Sequence, residues 1–324
     1  MTDTYFPDII GQNRVKKALG FYIDGFQETN CIPHLMFTAP RGCGKTTMAT
    51  AMAKNLIGPD GTIKPLITIN CSTIKSLKQF FNMIVIPHMV ERDATVLFDE
   101  CSELPKDVTM ALLTITNPNP ENMNEFSYED YNVVFDFRRL SFMFATTEGQ
   151  SIFHALMDRM ERIDLEEYKL DELGKIVLLG LDGYTVDEKT LESISSVLRG
   201  NARAGQKMAM KMKLHLDAQG KTHFDNEDWK SLMDKLGILP LGISVQELNL
   251  MRYMARKKAT RLTELAAITG LSKGAIQKDY ELYLSKMGLM EIQPEGRSLT
   301  TKGLEYLNEL DGVKKHKSNK TSKK

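Results

Sequence analysis

Residues Ala39-Pro40-Arg41-Gly42-Cys43-Gly44-Lys45-Thr46-Thr47 lie between an apolar run at 35–37 and a helix-like run at 48–56. A strand, a glycine-rich turn and a helix in that order constrain the fold strongly. The turn must release the chain from a sheet and deliver it to a helix N-terminus, whose dipole favours anions. Glycines let backbone N–H groups point inward, Lys45 adds a mobile cation, and Thr46 adds a hydroxyl. That combination suits a nucleoside triphosphate with Mg²⁺: Gly42, Cys43, Gly44 and Thr47 frame the phosphates, Lys45 reaches the β and γ oxygens, and Thr46 ligates the metal. Ala39 stands where the pattern G-x-x-x-x-G-K-[ST] has its first glycine. The change matters only if that position needs positive φ.

A second element strengthens the first. Thr95-Val96-Leu97-Phe98-Asp99-Glu100 is an apolar strand ending in two carboxylates, spaced to be a neighbouring strand of the same sheet. Asp99 is expected to complete the Mg²⁺ shell and Glu100 to polarise an attacking water. Hydrolysis requires both neutralised phosphates and an oriented nucleophile.

Around these segments, short β-rich runs alternate with helical ones, the rhythm of an α/β fold with a parallel sheet. Strands are predicted at 35–38, 66–70, 94–99, 140–146 and 162–165, and helices at 46–57, 73–84, 106–115 and 152–157. Between 117 and 139 the helical rhythm breaks at Asn-Pro-Asn-Pro, and a β-hairpin is predicted. From 170 to 236 only helical apolar spacing remains, which predicts a small helical lid. After the linker Leu239-Pro240-Leu241-Gly242, helices at 245–256, 262–269 and 273–286 and a β-ribbon make a winged helix. The expected domains are therefore 1–168 (large ATPase domain with the hairpin 117–139), 169–239 (lid), 240–311 (winged helix) and 312–324 (a basic tail without regular structure).

Formal charge sums to zero over 324 residues, but unevenly. Residues 240–310 carry 10 Lys/Arg against 8 Asp/Glu, and 311–324 carry 6 Lys against 1 Asp, so the C-terminal part is +7 and the rest −7. Basic charge thus gathers where a polyanion would bind. No apolar run is long enough to span a bilayer, and the N-terminus lacks a basic start followed by an apolar stretch, so the expected location is the cytoplasm. Cys31, Cys43, Cys71 and Cys101 form no zinc-binding spacing and are expected as thiols.

Nearly the whole chain resembles the AAA+ ATPases, and within them the RuvB branch-migration motors. Phe6-Pro7-Asp8-Ile9-Ile10-Gly11-Gln12 is similar to the family's adenine-side segment, which implies that Ile9 and Ile10 flank the base, and Tyr168 is placed near adenine. Ala145-Thr146-Thr147 matches the sensor-1 position, assigned to Thr147 with Thr146 as the alternative. Leu156-Met157-Asp158-Arg159-Met160 is similar to the family's L-R-D-R-F, which makes Arg159 an arginine finger acting on a neighbour's ATP. Arg199-Gly200-Asn201-Ala202-Arg203 resembles R-G-T-P-R, which puts Arg203 at sensor 2. In the winged helix, Arg297 falls on the family's DNA-contacting arginine, with Lys273, Lys278 and Lys302 as further phosphate contacts.

The resemblance implies an ATPase with Mg²⁺ that assembles into a ring, a hexamer in this reading, and moves duplex or four-way-junction DNA. The hairpin sits where the family docks RuvA, but Glu121, Glu125, Glu129, Asp130 and Asp136 argue against a RuvA-type partner, while Phe126, Tyr128 and Tyr131 are candidate anchors for another protein. Two rival readings share the same phosphate loop: a clamp or helicase loader, and a sequence-specific DNA-binding regulator.

Overall fold

Short apolar runs become the strands of one parallel sheet. The computed structural model describes residues 4–58 and 60–321. In chain order the strands of its first part are β1 (Leu35–Thr38), β2 (Leu66–Asn70), β3 (Ala94–Asp99), the hairpin pair β4 (Met123–Tyr128) and β5 (Tyr131–Asp136), then β6 (Leu140–Thr146) and β7 (Glu161–Asp164). The sheet order is β2-β3-β6-β1-β7, with every pair parallel. The expectation that β3 neighbours β1 is therefore corrected. β6 lies between them, with Thr146 opposite Thr38 and Ala145 opposite Asp99. Its seven residues are all buried, as a central strand covered on both faces requires, whereas the outer strands β2 and β7 are partly exposed.

Side chains alternate between the two faces with the strand period of two. Met36, Val96, Phe98, Phe142 and Phe144 enter one apolar cluster, with Phe80, Phe81, Leu112 and the hairpin's Val133 and Phe135. Leu35, Phe37, Leu97, Met143 and Ala145 enter the other, with Leu19, Ile23 and Phe26 of helix Asn13–Thr29 and Met48 and Met52 of helix Lys45–Ala53. Phe126 and Tyr128, candidate partner anchors in the sequence, instead stack on Phe81 of the same chain at 5.4 and 4.6 Å between centroids. Tyr131, 46% exposed, stays available.

Helix boundaries differ where local chemistry intervenes. The helix after the phosphate loop ends at Ala53, not 57, because Asn55 Nδ2 donates to the carbonyls of Ala51 and Tyr5 and the chain turns into a bridge between Ile57 and Ile63. The helix expected at 73–84 begins at Leu77, capped by Ser76 Oγ, and widens into a π turn at Phe81–Val85 before Pro87. Proline lacks the N–H that would continue the normal ladder.

Helices Leu170–Gly180, Glu188–Ser196 and Ala202–Asp217 follow, and a helix covers Asn226–Leu236. A parallel pair, β8 (Thr185–Val186) and β9 (His223–Phe224), interrupts what the sequence reads as purely helical; two residues are too few to show alternation.

The chain divides into two units, Met1–Trp229 and Lys230–Lys324. In the second, helices Val245–Met254 and Leu262–Thr269 and a run from Lys273 to Lys286 with a central π turn pack against the antiparallel pair β10 (Met290–Gln293) and β11 (Gly296–Leu299). Leu248, Met251, Leu265, Ile276, Leu284 and Leu289 form its core. A final helix, Thr301–Thr321, carries the backbone into the basic tail that the sequence reads as lacking regular structure; past Gly312 that segment has neither proline nor glycine to stop it. Residues 322–324 of that expectation lie outside the described residues. No helix among the described residues is long and apolar enough to cross a membrane.

Candidate nucleotide-binding site

The phosphate loop leaves β1 at the edge of the sheet where β3 and β6 also end. Gly42 and Gly44 take positive φ, 79° and 88°, which a residue with a Cβ adopts only with strain. Ala39 does not, so replacing the usual glycine there introduces no backbone strain. Lys45 is buried, and its Nζ donates to the carbonyls of Ala39 (2.9 Å) and Pro40 (3.2 Å). Burial lowers its pKa, partly offset by the Glu100 carboxylate.

Thr46 Oγ1 donates to Asp99 Oδ2 at 2.9 Å, so the hydroxyl and carboxylate expected to share a metal ion already face one another. The second Asp99 oxygen accepts the Glu100 N–H at 3.0 Å. Glu100 itself sits at φ 53°, a left-handed conformation that a non-glycine residue holds only at a cost, of the kind concentrated at functional sites. A cavity of about 270 Å³ is lined by Arg41, Lys45, Asp99, Glu100, Thr147 and Arg203, among others. Thr147 reaches it because β6 runs between β1 and β3. Thr146 is fully buried and accepts the Glu148 N–H instead, so of the two sensor candidates Thr147 faces the cavity.

An adjoining apolar cavity of about 230 Å³ shares Gly44, Thr47, Ala202 and Gln206 with the first and adds Ile9, Ile10, Met48 and Tyr168. Polar and apolar halves meeting over a phosphate loop fit a nucleotide, phosphates in one and base in the other. Burial pushes the Tyr168 phenol up to about 12, so it stays neutral. Cys43 is a buried thiol within the loop.

Sequence reasoning missed two residues here. Asn201 caps helix Ala202–Asp217 through Oδ1, accepting from the Ala204 N–H at 3.0 Å, while Nδ2 donates to the Arg41 carbonyl at 3.1 Å. The helix that carries Arg203 is thereby tied to the phosphate loop, and the Arg203 N–H also reaches the Gly42 carbonyl at 3.4 Å. Gln206, one turn after Arg203, lines both cavities. The only advance signal was spacing: a capping asparagine and an i+3 position.

Arg159 is not part of this group. It lines a separate cavity of about 290 Å³ with His34, Asn117, Asn119, Asn122 and Asn124. Its Nη2 donates to Asn117 Oδ1 at 3.2 Å, its Nη1 to the Ala155 carbonyl, and among the described residues its buried Nε has no partner.

Residues 35–168 match the profile of the ATPase family associated with various cellular activities (AAA), and residues 240–308 match the RuvB C-terminal winged helix domain. The chain belongs to the RuvB family of AAA+ ATPases. It is 24% identical over 318 residues to the Holliday junction branch migration complex subunit RuvB of Campylobacter hominis, covering 94% of this chain and 89% of that one. To the corresponding subunit of Lacticaseibacillus casei it is 24% identical over 314 residues, covering 92% and 88%. Its fold matches the solved RuvB Holliday junction branch migration motor of Thermotoga maritima with a TM-score of 0.75 at 21% identity, covering 94% of this chain and 96% of that one.

In the winged helix, one expected DNA contact has a partner within the fold. Arg297, expected to contact DNA, directs Nε and Nη2 at the two Glu281 oxygens, 2.8 and 3.2 Å away, and the pair is nearly buried, at 14% and 6% side-chain exposure. Two of its N–H donors are thus engaged by a carboxylate sixteen residues earlier, and losing the arginine would strand a buried charge. Lys302 Nζ donates to the Met287 carbonyl at 2.9 Å while remaining exposed, and Lys273 and Lys278 are exposed.

Proposed function

We propose that this protein is an ATP-driven DNA motor that works as a ring of six subunits in the cytoplasm, driving branch migration of four-way junctions or translocating duplex DNA. In this reading residues 1–168 form the ATPase domain, 169–239 the lid and 240–311 the DNA-binding winged helix. The observation that carries it is the split in the first unit: Lys45, Thr46, Asp99, Glu100, Thr147 and Arg203 converge on one cavity, and Arg159 stands at another. A guanidinium held apart from its own nucleotide cavity suits a group that completes a neighbouring subunit's site, which makes hydrolysis depend on assembly.

The residues fit MgATP. Bound Mg²⁺ supplies charge neutralisation at the β and γ phosphate oxygens. Thr46 and Asp99 would hold it, exchanging their mutual hydrogen bond for ligation. Lys45 exchanges two backbone carbonyls for phosphate oxygens, stronger partners for a buried cation. Glu100 takes the proton of the attacking water, Thr147 orients that water, and Arg203 reports phosphate to the helix that Asn201 ties to the loop. The hairpin's exposed acids, Glu121, Glu125, Glu129 and Asp130, argue against a RuvA-type partner there.

Purified protein with MgATP and a labelled four-way junction tests the reading. ATP-dependent conversion of the junction to duplex products is expected. ATP hydrolysis without junction processing would replace the motor with a loader, and footprinting at one preferred sequence would replace it with a regulator.

A further inference from the structure

Arg297 pairs with Glu281, and beside it the winged helix carries a second group of cations. The segment 252–261 carries Arg252, Arg256, Lys257, Lys258 and Arg261 and no acidic residue. Two of the five cations are neutralised within the fold: Arg252 Nη2 pairs with Asp311 at 2.9 Å, and Lys257 pairs with Glu264. Arg256, Lys258 and Arg261 are exposed, and among the described residues none has an acidic partner. Arg256 lies 5.2 Å over the Tyr253 ring, a contact that orients the guanidinium without using its N–H donors.

This segment is not a loose loop. Thr260 is buried at 1% exposure and exchanges both backbone hydrogen bonds with Arg297, each 2.8 Å, adding a bridge to the edge of β11. Arg297 in turn grips Glu281 on the third helix, and the exposed Lys278 lies one turn before Glu281. The basic turn is therefore held to the wing by backbone hydrogen bonds, and the wing to the third helix by the Arg297–Glu281 pair.

We infer that Arg256, Lys258 and Arg261 form a phosphate-binding surface on this winged helix, gripping the backbone of duplex DNA, on a turn that the backbone pair between Thr260 and residue 297 holds in place. The inference rests on the DNA-motor reading and adds the surface that carries it. Three uncompensated cations on a pinned, exposed turn match a regular line of phosphates in charge and offer nothing shaped to read base edges, so binding is sequence-independent and salt-sensitive.

The test measures affinity of the full-length protein for a mixed-sequence duplex across a salt series. For the triple variant R256Q/K258Q/R261Q, the slope of log affinity against log salt is expected to shrink by about 2.7 units or more, at about 0.9 per lost phosphate contact, with thermal melting unchanged because all three side chains are exposed. K258Q alone should remove about 0.9. The double variant E281Q/R297Q, which removes both members of the buried pair, should keep its slope. A triple variant with the wild-type slope, or a double variant that loses as much as the triple, overturns the inference while leaving DNA binding intact. Wild-type protein that binds no duplex sinks the motor reading itself.

Discussion

Two cavities of the first unit are nearly equal in volume, about 270 and 290 Å³, yet they differ in the groups they gather. One sets Lys45 and Arg203 against Asp99 and Glu100, so cations for phosphate and carboxylates for metal and water are all present in one chain. The other sets Arg159 among four asparagines, with Asp158 and Glu161 also in the lining, and among the described residues its buried Nε has no hydrogen-bond partner. A buried polar atom without a partner costs free energy unless something from outside satisfies it. The first cavity gathers the groups that a bound triphosphate and its metal would need, and under the proposed motor reading the second offers its guanidinium to a neighbouring subunit.

Removing Arg159 breaks that comparison most directly. In the Arg159→Ala variant, ATP turnover under assembling conditions is expected to fall about 10³-fold, while affinity for a nucleotide analogue stays within about two-fold, because the side chain lies outside its own nucleotide cavity. Mixing this variant with an excess of a Glu100→Gln variant should restore part of the turnover, since each supplies what the other lacks. If Arg159→Ala hydrolyses ATP at the wild-type rate in assembled protein, the second cavity has no role in catalysis.

Glu100→Gln sharpens the same contrast from the other side. The change keeps size and left-handed backbone but removes the proton acceptor, so turnover is expected to fall about 10²-fold in single-turnover kinetics while nucleotide stays bound. Tight binding with full turnover would move the base elsewhere.

The two sites also differ in how readily the sequence disclosed them. The phosphate loop is contiguous, and its meaning travels with its residue order, so Gly42 to Thr47 and the carboxylates at 99 and 100 are legible without a structure. What lies between them is not. That β6 separates β1 from β3, and so delivers Thr147 to the cavity, depends on strand order in space, which spacing along the chain does not determine. Phe126 and Tyr128 look like exposed anchors until Phe81, far away in sequence, stacks on them. Arg297 is the clearest case: its residue type and position suit a DNA contact, and only the structure shows that two of its donors face Glu281. The basic run at 252–261 is visible in the sequence, but which of its charges remain free depends on Asp311 and Glu264. Local chemistry is written in order; partnership is written in space.

The smallest expected effect concerns pH and the first cavity alone. Burial holds the Lys45 pKa below its ordinary 10.5, so charging it is disfavoured in the nucleotide-free fold. Between the lowered value and 10.5 the unfolded chain carries a proton that the folded chain lacks, and stability of the nucleotide-free protein therefore gains from this group as pH rises through that window. A bound triphosphate reverses the preference, because phosphate oxygens favour the ammonium. Binding then takes up a proton, and affinity for a nucleotide analogue should fall as pH rises through the same window, by a few-fold in titrations at fixed Mg²⁺. Lys45→Arg cannot lose its charge, so whatever affinity it keeps should stay flat across that range. A wild-type affinity equally flat would mean that Lys45 is not the cation facing the phosphates.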